Sequence, residues 1–181
     1  MRRRFTLRAW AADRDGVAAV EFALIAPVMI VLYFGMCEFC QAYMAHKRMG
    51  HVASTVADIV ARTTDIKADQ LDDIFAAGPI IMKPYSSAAL STRVSSVTRD
   101  DKGVARIDWT RAKGSNTTVR KKGDTVVVPA DVIANGESLI MSETAYDFNS
   151  PVDFVMPDAT RFKQVYYLRP RTVSKIGCSD C

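Results

Sequence analysis

VAAVEFALIAPVMIVLYFGMC, residues 17–37, is an apolar run whose one charged residue is Glu21. At about 1.5 Å rise per residue it extends roughly 30 Å as a helix, the thickness of a bilayer's hydrocarbon core. A removable secretory signal has a shorter apolar region, about 7 to 15 residues, with small residues at the cut. Here the bulky stretch EFCQAYMAHKR follows instead. The run therefore reads as a retained membrane helix. Pro27 and Gly35 lie inside it; both weaken a helix in water, and both are tolerated in membrane helices.

The flanks set its direction. Arg2, Arg3, Arg4, Arg8 and Arg14 precede the run against only Asp13 and Asp15, and Lys47 and Arg48 follow it. Such an imbalance keeps the N-terminal side in the cytoplasm and sends the rest across. With 181 residues in all, about 120 remain for a folded head, one domain of ordinary size. Whole-chain averages hide this division: 49% hydrophobic, 24% charged and a mean hydropathy of +0.01 describe a soluble protein. The net charge of +4 comes from scattered basic residues rather than a basic stripe interleaved with aromatics, so no nucleic-acid partner is expected.

Glu21 is the costly residue. A carboxylate costs about 2–4 kcal/mol at the centre of a membrane helix and less near the edge, so it asks for a cationic partner or a route to the headgroups. Cleavage after Gly16 would place a new α-amino group on Val17, one helical turn from Glu21. A paired ammonium and carboxylate are tolerated in low dielectric where either alone is not.

The string Arg14-Asp15-Gly16-Val17-Ala18-Ala19-Val20-Glu21-Phe22-Ala23-Leu24, followed by Pro27, resembles the prepilin processing motif. In particular it resembles the R-x-G-x-A-A-V-E-F-A-L opening of TadE/TadG-like proteins of the tight-adherence pilus system. The later Tyr167-Leu168-Arg169-Pro170-Arg171 is similar to the aromatic-x-R-P-R ending of TadE-like proteins. The resemblance implies cleavage between Gly16 and Val17 by a prepilin peptidase, with Glu21 and its neighbour Phe22 as assembly residues. It implies a minor pilin or pseudopilin that joins or primes a pilus, since the major pilins of this system are very short chains. The implied partners are other pilin or pseudopilin subunits, the inner-membrane assembly platform and membrane lipid. The implied place is the bacterial inner membrane with the head in the periplasm, at a pilus tip or base. The alternative is a membrane-anchored binding module of a secretion or pilus apparatus that never enters a filament.

Past the membrane, Ala45, Met49, Val52, Val56, Ile59 and Val60 recur at intervals of three and four, so the helix continues as an amphipathic one to about Thr64. A second helix is expected over 68–77, favoured by Asp69, Asp72 and Asp73 at its start and stopped by Gly78-Pro79. Residues 89–98 and the segment from Val104 read as a hairpin around Asp100-Asp101-Lys102-Gly103, with imperfect alternation in the second strand. Residues 115–124 read as a loop, 125–128 are too short to assign, 138–148 and 162–168 read as strands, and 149–160 connect them. The expected class is α+β and pilin-like, a long membrane-spanning helix continuing as an amphipathic helix on an antiparallel sheet of about four strands. The expected division is a cleaved leader 1–16, a transmembrane helix 17–40 and an extracytoplasmic domain 41–181.

Little points to chemistry. His46 and His51, five apart, are not expected on one helix face, and no acidic or cysteine cluster joins them at metal spacing. The sequence holds no G-x-S-x-G, no phosphate-cradling glycine loop and no H-E-x-x-H, so neither catalysis nor a cofactor is expected. Cys178 and Cys181 form a C-x2-C pair, too few for a zinc site; outside the cytoplasm a small terminal disulfide is expected, inside it free thiols. Cys37 and Cys40 read as small buried apolar residues. Asn116-Thr117-Thr118 matches a glycosylation sequon, a pattern too short to carry a function.

Overall fold

The computed structural model describes residues 16–115, 117–129, 131–150 and 160–181. The basic leader, Asn116 of the sequon and the connection 151–159 lie outside the described residues.

Helix α1 (Val17–Ala61) is one α-helix of 45 residues, with Pro27 inside it. Its two halves obey different physics. From Val17 to Met44 sixteen large apolar side chains are exposed. Leaving each in water forgoes about 1.5–3 kcal/mol, so together they outweigh the 5–15 kcal/mol by which a domain is stable. None of the most apolar window is buried, so this is no core helix; it is long and apolar enough to cross a membrane, compatible with a single-pass anchor. From Ala42 onward the stripe Ala45, Met49, Val52, Val56 and Val60 is fully buried. Alanines at 53, 57 and 61 widen that face and let the sheet approach closely.

The sheet beneath has strand order β4-β3-β2-β5-β6, antiparallel throughout. Its members are β2 (Leu90–Arg99), β3 (Ala105–Lys113), β4 (Thr125–Val126), β5 (Ser138–Phe148) and β6 (Thr160–Leu168). The architecture is α+β as expected, with five strands rather than about four, because the two-residue β4 adds an edge. Alternation along β5 sends Ile140, Tyr146 and Phe148 toward α1 and Leu139 and Met141 to the opposite face, where Val97, Ile107, Val126 and Ile133 form a second small core.

A bulge explains the irregular pattern of β3. Ser96 pairs Trp109 and Val97 pairs Ile107, so Asp108 is the extra residue and Ile107 and Trp109 face opposite sides. The Asp108 carboxylate accepts from Thr98 Oγ1 at 2.6 Å and Ser96 Oγ at 3.3 Å, and pairs with Lys175. At the hairpin, Gly103 has φ +81°, and Asp100 Oδ1 accepts from the Val104 and Lys102 N–H groups at 2.8 and 3.0 Å. Those two backbone donors hold the Asp100 carboxyl below its ordinary range, the Val104 bond most strongly.

Between α1 and the sheet's edge lie β1 (Asp65–Ile66), α2 (Ala68–Phe75) and α3 (Ala77–Met82). Gly78-Pro79 does not stop the helical segment. The break falls at Ala76, and proline enters the first turn of α3, where its missing N–H would have had no partner. Gly78 is buried there, and a side chain on it would meet Leu90 and Val52. After β6 the chain returns, and β7 (Gly177–Cys178) pairs in parallel with β1, a contact too short to register in the sequence.

Asp72 on α2 ties that helix to β3 by accepting from Arg111 Nη2 at 2.6 Å and Nε at 3.3 Å. The Arg111 hydrogen bond holds its carboxyl below the ordinary 3.8. A depressed carboxylate stabilises the fold above its unfolded pKa, and the contribution is lost as pH falls through the folded value. Both side chains are about two-fifths exposed, so the pair contributes no more than about 1 kcal/mol. Thermal unfolding in detergent should show Asp72→Asn less stable than wild type by that amount at pH 7, with the gap closing as pH drops below 3.8.

Candidate functional site

The residues singled out at the front of α1 are presented, not enclosed. Gly16 precedes the first turn and accepts the Val20 N–H at 3.1 Å, with φ −91°, a conformation open to any residue. A Cβ at Gly16 would meet nothing within 4 Å. Nothing in the described fold therefore requires glycine at this position. Val17, Glu21 and Phe22 are all exposed, Phe22 to 72%. Among the described residues Glu21 has no hydrogen-bond or ion-pair partner. Because the helix begins at Val17, an amino group there would stand one turn below the Glu21 carboxylate.

Farther along, Phe39 and Tyr43 stack at 6.5 Å, and Lys47 Nζ lies 5.5 Å over the Tyr43 ring. An aromatic pair capped by a lysine is suited to the outer edge of a bilayer, with ring bodies in lipid and the ammonium in the headgroups. Cys40 is exposed and Cys37 half-buried, so these thiols are not the core residues expected; the head's cover begins only past them. Glu38 between them is buried to 1%, a placement the sequence did not signal. Here α1 first meets the head: the Tyr85 hydroxyl donates to Gln41 O at 3.0 Å, and Arg48 Nη1 to Ile81 O at 3.0 Å.

His46 packs edge-on against Phe162 at 5.4 Å, and His51 is exposed. Both border one shallow depression of about 200 Å³, because Gln164 and Tyr166 of β6 close it from the side. No carboxylate or thiol lines it.

Cys178 and Cys181 are joined in a disulfide, Cα atoms 5.6 Å apart, so neither sulfur is free to ligate a metal. Asp180 within this loop accepts the Ala68 N–H at 3.0 Å, at the start of α2. The Arg169-Pro170-Arg171 stretch closes the far end of α1. The Arg171 N–H donates to Ala61 O at 2.9 Å and its guanidinium pairs with Asp58, while Arg169 pairs with Glu137 at 2.9 Å. This short run thus fastens the returning chain to the end of the helix.

The whole arrangement is a long apolar helix, unpartnered over its first half and bearing one bare carboxylate, held rigidly to a small sheet domain. No curated protein and no solved structure matches the chain. Residues 16–58, from the glycine before α1 to the aspartate that Arg171 grips, match the family model for TadE-like proteins, the family that the opening and the Arg-Pro-Arg stretch resemble.

Proposed function

We propose that the protein is a minor pilin or pseudopilin of a tight-adherence pilus, cut between Gly16 and Val17 by a prepilin peptidase. The match of residues 16–58 to the TadE-like family model supports a place in that pilus system. One observation carries the finer reading: α1 starts at Val17 with Gly16 and Glu21 bare, and the fold gives neither a reason to be there. A glycine unneeded by its own chain suits an enzyme that must thread backbone closely at the cut. A lone carboxylate in an apolar helix suits an ammonium delivered by that cut, either in the same subunit or in one packed alongside.

The head then stands in the periplasm, and helix packing rather than chemistry is the mechanism. The inner membrane's assembly platform and neighbouring pilin subunits are the partners. Intact-mass measurement of protein extracted from the native host's membranes should give a chain beginning at Val17. A chain retaining Met1, or one starting after Ala45, overturns the reading.

A further inference from the structure

On the sheet face turned away from α1, the second core covers only the part beside Leu139 and Met141. The rest is a groove of about 370 Å³ between β2, β5, β6 and the loop before β4. Strand alternation places Arg93, Glu143 and Lys163 on this face: Arg93 pairs Glu143 across β2 and β5, and Ala145 pairs Lys163 across β5 and β6. Arg120 reaches in from the loop.

The groove is preorganised for an anion. Glu143 accepts from Arg93 Nε at 2.8 Å and from Arg120 at 2.7 and 3.0 Å, and Arg93 also donates to Thr118 O at 2.8 Å. One carboxylate thus holds two guanidiniums in fixed orientation, with N–H groups to spare. Arg161 stands 3.6 Å from Asp147, and Lys163 is exposed. Four cations against two carboxylates leave an excess of two positive charges over a confined surface, which concentrates anions. Hydroxyl groups of Thr117 and Thr118 line one wall, and Ala145 and Val165 supply apolar floor. Its volume lies within the range of small-molecule sites.

Cations spread along an open trough, with hydroxyl partners and an apolar floor, suit a carboxylated sugar ring. The carboxylate meets guanidinium, the ring hydroxyls meet Thr117 and Thr118, and the C–H face meets Val165. We propose that this groove binds a uronic-acid unit of an acidic polysaccharide. It lies on the face opposite α1, so packing of the helix against lipid or other subunits leaves it open.

The test is titration calorimetry of the full chain in neutral-lipid nanodiscs with tetragalacturonate, maltotetraose and inorganic phosphate. Tetragalacturonate should bind saturably and more weakly as salt rises, and maltotetraose should not bind. The double variant Arg161→Ala/Lys163→Ala changes exposed side chains only and should weaken binding at least about tenfold. Lys102→Ala, on the hairpin away from the groove, should change nothing. Absence of saturable binding, equal affinity in the double variant, or equal binding of maltotetraose overturns the proposal. Phosphate binding as tightly as tetragalacturonate and displacing it reduces the groove to a general anion site and overturns the sugar assignment.

Discussion

Replacing Glu21 with alanine is expected to leave cleavage after Gly16 intact while abolishing incorporation of the protein into pili. The proposed cut depends on residues up to and around Gly16, which stands before the first helical turn, where an added Cβ would meet nothing within 4 Å. Glu21 comes one turn later, exposed on an apolar helix surface. Removing its carboxylate lowers the cost of lying in lipid, by less than the roughly 2–4 kcal/mol of a central position because Glu21 is near the helix start, so the variant should be anchored at least as well as wild type. What it loses, on the proposed reading, is the counter-charge for an ammonium at Val17, and an unpaired ammonium buried among packed helices is heavily penalised. Immunoblotting of membrane and sheared-pilus fractions should show the processed form accumulating in the membrane, and electron microscopy should show loss of piliation. Unchanged pili would mean that Glu21 serves no assembly role and would favour an anchored binding module. Glu21→Asp keeps the charge but draws it back by one methylene, and should restore assembly in part.

The largest effect on stability is expected at Trp109. Its indole is buried in the core on the face of the sheet that α1 covers, and Nε1 donates to Ile176 O at 2.8 Å. Trp109→Ala opens a large cavity and strips a buried carbonyl of its donor, a loss of about 3–5 kcal/mol. Against a total of 5–15 kcal/mol this brings the head near its unfolding threshold. Ile176 leads directly into β7, so the tail should detach from β1 before the sheet opens. Chemical denaturation followed by circular dichroism measures the first effect, and hydrogen exchange at Gly177 and Cys178 the second. Trp109→Phe keeps most of the apolar volume and should cost less, isolating the carbonyl's share.

Much of this architecture is legible in residue order. The three-and-four spacing of Ala45, Met49, Val52, Val56 and Val60 announces the packed half of α1, because a helix covered on one face must repeat that way. The long strands 90–99, 105–113 and 138–148 are legible because turn residues bound them. What escaped is short or depends on partners distant in sequence. Thr125–Val126 and Gly177–Cys178 are two residues each, too few for a period. Asp108 breaks the alternation of β3, and only the register shows that an extra residue has turned Ile107 and Trp109 to opposite faces. Glu38 looks like the first polar residue after a membrane run, and only the fold shows it buried. The residues proposed for processing and assembly were readable because they lie within one contiguous stretch. The basic groove was not, because Arg93, Arg120, Glu143 and Lys163 come from four separate segments.

Helix α1 crosses from its bare half to its packed half without a break at Cys40 or Gln41, and Tyr85 and Arg48 bolt the head to it at that crossing. Over roughly 68 Å, the length of its 45 residues, anchor and head form a single lever. A sideways tug on the domain is therefore delivered as torque to the apolar half of the helix instead of dissipating in a swivelling joint. Such a chain suits a load-bearing station, where tilt at one end reports strain at the other.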